Sequence, residues 1–201
     1  MTITLYELGP TRSARVRWTL LELDVPFESV TGEAPAFFGS PELRAVHPLG
    51  KVPALVDDGR KLIESAAICT WLADSHPDKG LIAAPGSFAR ALHDQWVAFT
   101  LSELEAYLWS TTRNTFIYPE AERLPVIFEQ NAMEARRALA VFDAHLAEAE
   151  WLVEGRFSVT DIFVGFAVNW AAGMKLTADF PHVTAYRERL LSRPHCPYRR
   201  N

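Results

Sequence analysis

His47-Pro48-Leu49-Gly50-Lys51-Val52-Pro53-Ala54-Leu55, with Glu64-Ser65 close behind, is the stretch from which the rest of the chain can be ordered. Pro53 stands directly before a β-favouring run, where it has no N–H to give to a ladder. A cis Val52–Pro53 bond resolves the oddity, because it turns the chain sharply and offers the backbone N–H and C=O of Val52 to a ligand. An extended peptide can pair with that free edge as an added strand. Glu64 adds a carboxylate for an ammonium group. Ser65, read as the N-cap of a helix running to Ala73, adds a hydroxyl and a helix N-terminus for a carboxylate. Together these groups suit a ligand with an α-amino acid head and a peptide body.

Working outward, the segments before and after this stretch read as mixed α/β. Ile3–Leu8 is a short β-favouring run ended by Gly9-Pro10, and Phe27–Thr31 is a second. Between them Ser13 to Leu23 carries Val16, Leu20 and Leu23 at helical spacing, with Ser13 a natural N-cap. Pro41–Val46 allows one helical turn, and Asp57-Asp58-Gly59 is a hairpin signal between Ala54–Val56 and Leu62–Ile63. The order is βαβ, an irregular helix, then ββα.

Proline and glycine divide the chain. Residues 1–87 hold 8 Pro and 7 Gly, whereas the longer stretch 88–201 holds 5 Pro and 3 Gly. Strands and turns need that punctuation and long helices avoid it, so the second half is predicted to be nearly all helix. Phe128, Ala132, Ala135, Leu139, Phe142, Leu146 and Ala149 form one continuous apolar stripe. An earlier helix through Leu92, Trp96, Phe99, Val97, Leu101, Leu104 and Leu108 has two apolar faces, which a bundle or a partner subunit must cover. The turn-rich residues 77–86 form the linker, giving expected domains 1–76 and 87–201.

The composition bounds the rest. The 201 residues carry Lys+Arg 20 against Asp+Glu 25, a net charge of −5, so nucleic acid and anionic membrane have no electrostatic claim as partners. The longest uncharged apolar run, Ile162 to Met174, is too short for a bilayer that needs about 20 residues and reads as a buried helix. The two cysteines, Cys69 and Cys196, lie far apart, which disfavours a disulfide framework and fits a reducing cytoplasm. No histidine pair has ligand spacing, so no metal is expected. The tryptophans read mainly as core, and the basic tail Arg193–Arg200 as a solvated end.

Ser158-Val159-Thr160-Asp161 fits a capping box with Ser158 at N-cap and Asp161 at N3, flanked by the staple pair Phe157 and Ile162. Alone it marks any well-capped helix. In company with Ser13-Ala14-Arg15-Val16-Arg17, His47–Leu55 and Glu64-Ser65, in that order, it resembles the cytosolic glutathione transferase family across nearly the whole chain. The resemblance implies an α/β thioredoxin-like N-terminal domain with a mixed four-stranded sheet, an all-α helical-bundle C-terminal domain, a cis-proline at Pro53 and a homodimer. It implies that Val52 pairs with the cysteinyl unit of glutathione and that Glu64 and Ser65 hold the γ-glutamyl group. Lys51 would lie near the glycyl carboxylate or the thiol-proximal backbone.

Such chemistry needs a thiolate. Lowering a thiol from about 8.5 to about 6.5 requires ~2.7 kcal/mol, which a hydroxyl donor and a helix N-terminus can supply. In the family the donor sits after the first strand. Thr11, four residues before Arg15, is ranked first and Ser13 second, with Tyr6, Arg12 or no side-chain donor behind them. No cysteine lies in the Gly9–Ser13 loop, which argues against thiol-disulfide chemistry by the protein, and Cys69 reads as a buried, inert thiol. Tyr107, Trp109 and Arg113 lie on the helix that faces the second-substrate pocket in the family. The expected activity is a glutathione transferase acting on a small hydrophobic electrophile. Isomerase, dehalogenase or peroxidase chemistry shares the thiolate step, and a non-catalytic binding scaffold is the alternative of a different class.

Overall fold

A computed structural model describes residues 3–198, so the outer domain limits and the tail residues Arg199 and Arg200 lie outside the described residues. The chain forms two compact units, one running to Ala84 and taking in Pro194–Pro197, the other running from Pro85 to Arg193. The first unit contains β1 (Ile3–Tyr6), α1 (Ser13–Glu22), β2 (Phe27–Val30), α2 (Pro41–Val46), β3 (Ala54–Asp57), β4 (Arg60–Ile63) and α3 (Ser65–Asp74). Its sheet has the order β2-β1-β3-β4. The β1–β2 pair is parallel across the α1 crossover, and β1–β3 and β3–β4 are antiparallel. This is the mixed four-stranded sheet of the expected fold. Asp58 and Gly59 turn the β3–β4 hairpin with φ of 45° and 80°, the left-handed pair that a two-residue loop demands.

Both early strands end sooner than their sequence runs. Glu7 still donates its N–H to the Val30 carbonyl at 3.0 Å, after which the Gly9–Pro10 peptide is cis and the chain leaves the sheet. Two caps differ from expectation. Ser13 is the first residue of α1, not its N-cap. The N-cap is Arg12, and the Thr11 hydroxyl accepts the Ser13 N–H at 3.2 Å. Likewise Ser65 is the first residue of α3 behind an N-cap at Glu64, which adopts φ 70°. In both cases the turn before the helix places its first residue one position earlier than the side-chain preference for N-cap suggested.

The second unit opens with a long helical run: α4 (Phe88–Phe99), a π-helical stretch Thr100–Glu105, α5 (Ala106–Thr112) and a second π-helical stretch Arg113–Ile117. The expected uninterrupted helix is therefore wound wide twice. Of its two apolar faces, Trp96, Leu104 and Leu108 are buried, while Leu101 stays 43 % exposed. In α6 (Phe128–Glu148) the stripe turns Ala135, Leu139, Phe142 and Leu146 inward, and Phe142 stacks on Trp96 with centroids 5.1 Å apart. Two of the tryptophans, Trp18 and Trp96, are buried core residues; Trp71, Trp109, Trp151 and Trp170 are half-buried. No helix among the described residues is long and apolar enough to cross a membrane.

α7 (Val159–Gly173) runs through the middle of this unit with α8 (Pro181–Ser192) packed against it. Asp161 is fully buried at the N-terminus of α7. Its carboxylate accepts the Ser158 N–H at 2.9 Å, the Leu152 N–H at 3.1 Å and the Tyr186 hydroxyl at 3.0 Å, while the Ser158 hydroxyl accepts the Thr160 N–H. One side chain thus closes the capping box and ties the preceding loop and α8 to the helix.

Burial pushes the Asp161 carboxyl up to about 6, against the pull of the Leu152 and Ser158 amides. From about pH 4 to about pH 6 the folded chain therefore holds a proton that the unfolded chain has released. The contribution of this residue to stability falls as pH rises through that window. In urea melts at a series of pH values, the stability of the wild type relative to Asp161→Asn should decline by about 2 kcal/mol from pH 4 to pH 7. A difference that is flat or rising over that range overturns the assignment.

Candidate functional site

Strand register gathers the candidate residues of the first unit. Tyr6, the last residue of β1, pairs with Ala54, the first of β3, and Ala54 pairs with Ile63, the last of β4. The loop after β1, the residues before β3 and the start of α3 therefore leave the same end of the sheet. Thr11 and Ser13, Lys51 to Pro53, and Glu64-Ser65 lie on those three segments.

The Val52–Pro53 peptide is cis. Among the described residues, neither the N–H nor the C=O of Val52 takes part in a hydrogen bond. Its side chain packs against the small core of Phe37, Leu43, Val46 and Ala54. The approach to Val52 is held by backbone contacts: Gly39 N–H to Gly50 C=O at 2.9 Å and Gly50 N–H to His47 C=O at 2.8 Å. His47 is buried, and its Nδ1 accepts the Leu49 N–H at 3.1 Å. Burial lowers the His47 pKa, which favours the neutral ring that this acceptor role requires. Gly50 has φ 57°, and a Cβ on it would stand 2.5 Å from the Gly39 Cα. Lys51 is exposed and makes no ion pair among the described residues.

Glu64 is exposed at the N-terminus of α3, with no side-chain cap on the helix. The first-turn amides are therefore open to an acceptor, with the helix dipole behind them. Ser65 is buried and accepts a hydrogen bond from Nη1 of Arg15 at 3.4 Å, which leaves its own proton for a ligand carboxylate. Arg15 is itself fully buried in α1. Arg15 carries no role in the sequence pattern alone; its signal is a guanidinium set next to Val16 on the apolar face of a helix.

Thr11 and Ser13 form one hydroxyl pair, 2.9 Å apart. Thr11 is half-buried and its hydroxyl also donates to the Leu8 carbonyl, while Ser13 is buried and accepts the Leu8 N–H at 3.4 Å. A hydroxyl has a single proton, so these contacts compete. Tyr6 is paired within the sheet, and its ring packs on the same core as Val52. Cys69 is buried, and burial pushes its thiol up to about 11, so it holds its proton at neutral pH. No group of three His, Cys, Asp or Glu side chains capable of holding a metal occurs among the described residues.

Tyr107, Trp109 and Arg113 belong to the second unit. The Arg113 guanidinium lies over the Trp109 ring at 5.8 Å and over Tyr118 at 5.7 Å, and Trp109 meets Trp170 edge-on at 6.4 Å. Tyr107 makes no ring contact among the described residues, so two of the three expected residues are brought together and one is not. Tyr118 joins them instead, and nothing in the spacing across a π-helical turn announced it.

Residues 11–80 match the profile of the glutathione S-transferase N-terminal domain, and residues 110–194 that of the C-terminal domain. The chain is 32 % identical over 152 residues to glutathione S-transferase GstA of Escherichia coli O157:H7, covering 75 % of this chain and 72 % of GstA. It is also 32 % identical over 160 residues to elongation factor 1-gamma of Prunus avium, covering 77 % of this chain and 37 % of that protein. The crystal structure of the theta class glutathione S-transferase of Xanthomonas axonopodis pv. citri with glutathione bound superposes with a TM-score of 0.81 at 30 % identity, covering 96 % and 94 % of the two chains.

The glycine contact yields a direct test. Gly50→Ala must both adopt a left-handed φ and displace backbone at Gly39, so it should cost about 2 kcal/mol and lower Tm by roughly 4–8 °C. Gly59→Ala shares the positive φ but meets nothing within 4 Å, and should cost distinctly less in the same thermal melt. Equal losses would show that the Gly39–Gly50 approach is not a constraint.

Proposed function

The chain belongs to the glutathione S-transferase family, and from that premise we propose that it is a glutathione transferase. The observation that carries the reading is the unpartnered backbone of Val52 beside a cis-proline, at the same end of the sheet as the uncapped N-terminus of α3. The cysteinyl backbone of glutathione pairs with Val52 as an added strand. Its γ-glutamyl ammonium meets Glu64, and the carboxylate beside it takes the Ser65 hydroxyl and the first-turn amides of α3. Lys51 serves the glycyl carboxylate.

Thr11 donates to the sulfur. In this structure the Thr11 hydroxyl donates to the Leu8 carbonyl and the Ser13 hydroxyl, so donation to sulfur requires both hydroxyls to rotate, Ser13 then donating to Thr11 Oγ1 and Thr11 directing its own proton toward the thiolate. The thiolate attacks an electrophilic carbon: the S–C bond forms and the leaving group departs with the bond's electron pair, with no metal in any step. The second substrate, a small hydrophobic electrophile, is assigned to the helical run carrying Trp109 and Arg113. The exposed Leu101, Met133 and Val141 on that unit support a homodimer. Two buried cysteines, neither of them in a disulfide, support a reducing, cytoplasmic setting.

One observation favours a second reading, a binding scaffold without turnover. The Thr11 proton already has two internal acceptors, and one relative of this chain is named an elongation factor. Isothermal titration separates the readings. Millimolar or tighter glutathione binding together with conjugation of a reactive aryl halide supports the transferase; binding without turnover supports the scaffold; no binding removes the transferase. In the thiolate absorbance titration of the glutathione complex, Thr11→Ala should raise the thiol pKa by about one unit and Ser13→Ala by less. The reverse ranking would transfer the donor role to Ser13.

A further inference from the structure

Arg113 of the second unit is a cation that no acid among the described residues neutralises. Arg113 opens the π-helical turn Arg113–Ile117, with its guanidinium between the rings of Trp109 and Tyr118. Its Nε is shut off from solvent without a hydrogen-bond partner, and so is the adjacent Thr112 hydroxyl. Among the described residues no carboxylate lies within ion-pairing distance of Arg113, and its terminal amino groups donate to nothing. Arg137, Arg156 and Arg187 of this unit each hold a glutamate, and Arg189, which also lies over two rings with its Nε unpartnered, donates Nη2 to the Glu150 carbonyl at 2.8 Å. In a chain of net charge −5, an arginine left without an acid while seated on two aromatic faces is a site short of an anion.

The seat is built rather than incidental. The Tyr118 N–H donates to the Arg113 carbonyl at 2.9 Å, and the Tyr118 carbonyl accepts Nε of Arg123 at 2.9 Å. Buried Asn114 donates to the Ser110 carbonyl and accepts the Leu124 N–H at 2.9 Å, which fixes the loop behind the ring. Arg123 brings a second positive charge beside Tyr118, and the exposed Glu120 and Glu122 pair with neither arginine. Nε of Arg113 faces inward, so an acceptor must come end-on to the two terminal amino groups, a geometry that suits the two oxygens of a carboxylate. The half-buried indole and phenol on either side offer stacking area to a flat group carrying that carboxylate.

We infer that Arg113, Trp109 and Tyr118 form a subsite for a planar organic carboxylate, an aryl acid. Resting on the transferase reading, this makes the preferred electrophile an anionic aromatic compound rather than a neutral hydrophobic one. With a benzylic halide bearing a ring carboxylate, the glutathione thiolate forms the S–C bond, halide leaves with the C–halogen electron pair, and the carboxylate takes no part in the step.

The test uses the full-length protein and three probes: 4-(chloromethyl)benzoate, its neutral carboxamide, and unreactive 4-methylbenzoate. The ratio of kcat/KM for the carboxylate to that for the carboxamide should exceed about tenfold in the wild type. It should fall toward one in Arg113→Gln and recover in part in Arg113→Lys. Binding of 4-methylbenzoate, followed by tryptophan fluorescence without glutathione, should weaken by about tenfold in Arg113→Gln and with rising salt. Because the wild-type ratio and its salt dependence need no variant, a poorly folded Arg113→Gln leaves the test intact. A wild-type ratio near one with salt-independent 4-methylbenzoate binding overturns the subsite. Salt-sensitive 4-methylbenzoate binding without turnover of either halide keeps the subsite and removes the transferase reading.

Discussion

Pairing of Tyr6 with Ala54, and of Ala54 with Ile63, brings three chain segments distant in sequence to one end of the four-stranded sheet. Everything proposed for the first unit depends on that register. A slip of one residue would turn Leu5 and Leu55, both buried, toward the opposite face and carry the Val52–Pro53 turn away from the hydroxyls of Thr11 and Ser13. The supports around this end are backbone and buried polar contacts rather than surface charge. The Gly39–Gly50 approach and the His47 acceptor fix the entry to Val52, while buried Arg15 reaches the Ser65 hydroxyl from a different helix. Surface ion pairs such as Lys79–Asp24 add little to such an arrangement, being exposed and screened.

Features legible in the sequence were those set by local geometry. A proline before a strand constrains a single peptide, an Asp-Gly pair constrains a single turn, and Ser158 to Asp161 closes a box within one helical turn, so few alternatives fit each pattern. Helix starts at Ser13 and Ser65 were misplaced by one residue because a serine satisfies both N-cap and first-turn preferences. The deciding turn geometry, Arg12 in helical backbone and Glu64 at φ 70°, leaves no mark in composition. The π-helical stretches were invisible for a related reason. Periodicity at 3.6 residues describes a uniform helix, and a local widening shifts which residues share a face without changing what they are. Tyr118 was missed on that account, and Arg15 because its burial is a property of packing between α1 and α3.

Buried polar groups serve opposite ends in this chain. Asp161 has four hydrogen-bond donors converging on it, from Ser158, Leu152 and Tyr186, so its burial joins a loop, a cap and a neighbouring helix into one network. Arg15 is likewise buried and partnered. Arg113 differs, since its inward nitrogen has no acceptor and its charge has no acid. Structural networks close on themselves, whereas a recognition group keeps capacity in reserve for a ligand, and the cost of holding it is carried by the aromatic faces on either side.

The same distinction sets how strongly Thr11 can act. Its proton is already accepted by the Leu8 carbonyl, so donation to sulfur exchanges one hydrogen bond for another. A bond to an anion is roughly twice as strong as one between neutral groups, which leaves a net gain of about 1–1.5 kcal/mol. That is about one unit of pKa, not the two needed to bring a thiol from about 8.5 to about 6.5. The first amides of α1 offer little more, because those of Ser13, Ala14 and Arg15 already donate to Thr11 and Arg12. Only the dipole of α1 remains, worth a few tenths of a kcal/mol to 1 kcal/mol in such a position. On the transferase reading the bound thiol is therefore only partly ionised at neutral pH, and rate depends on how the electrophile is held as much as on how the sulfur is activated.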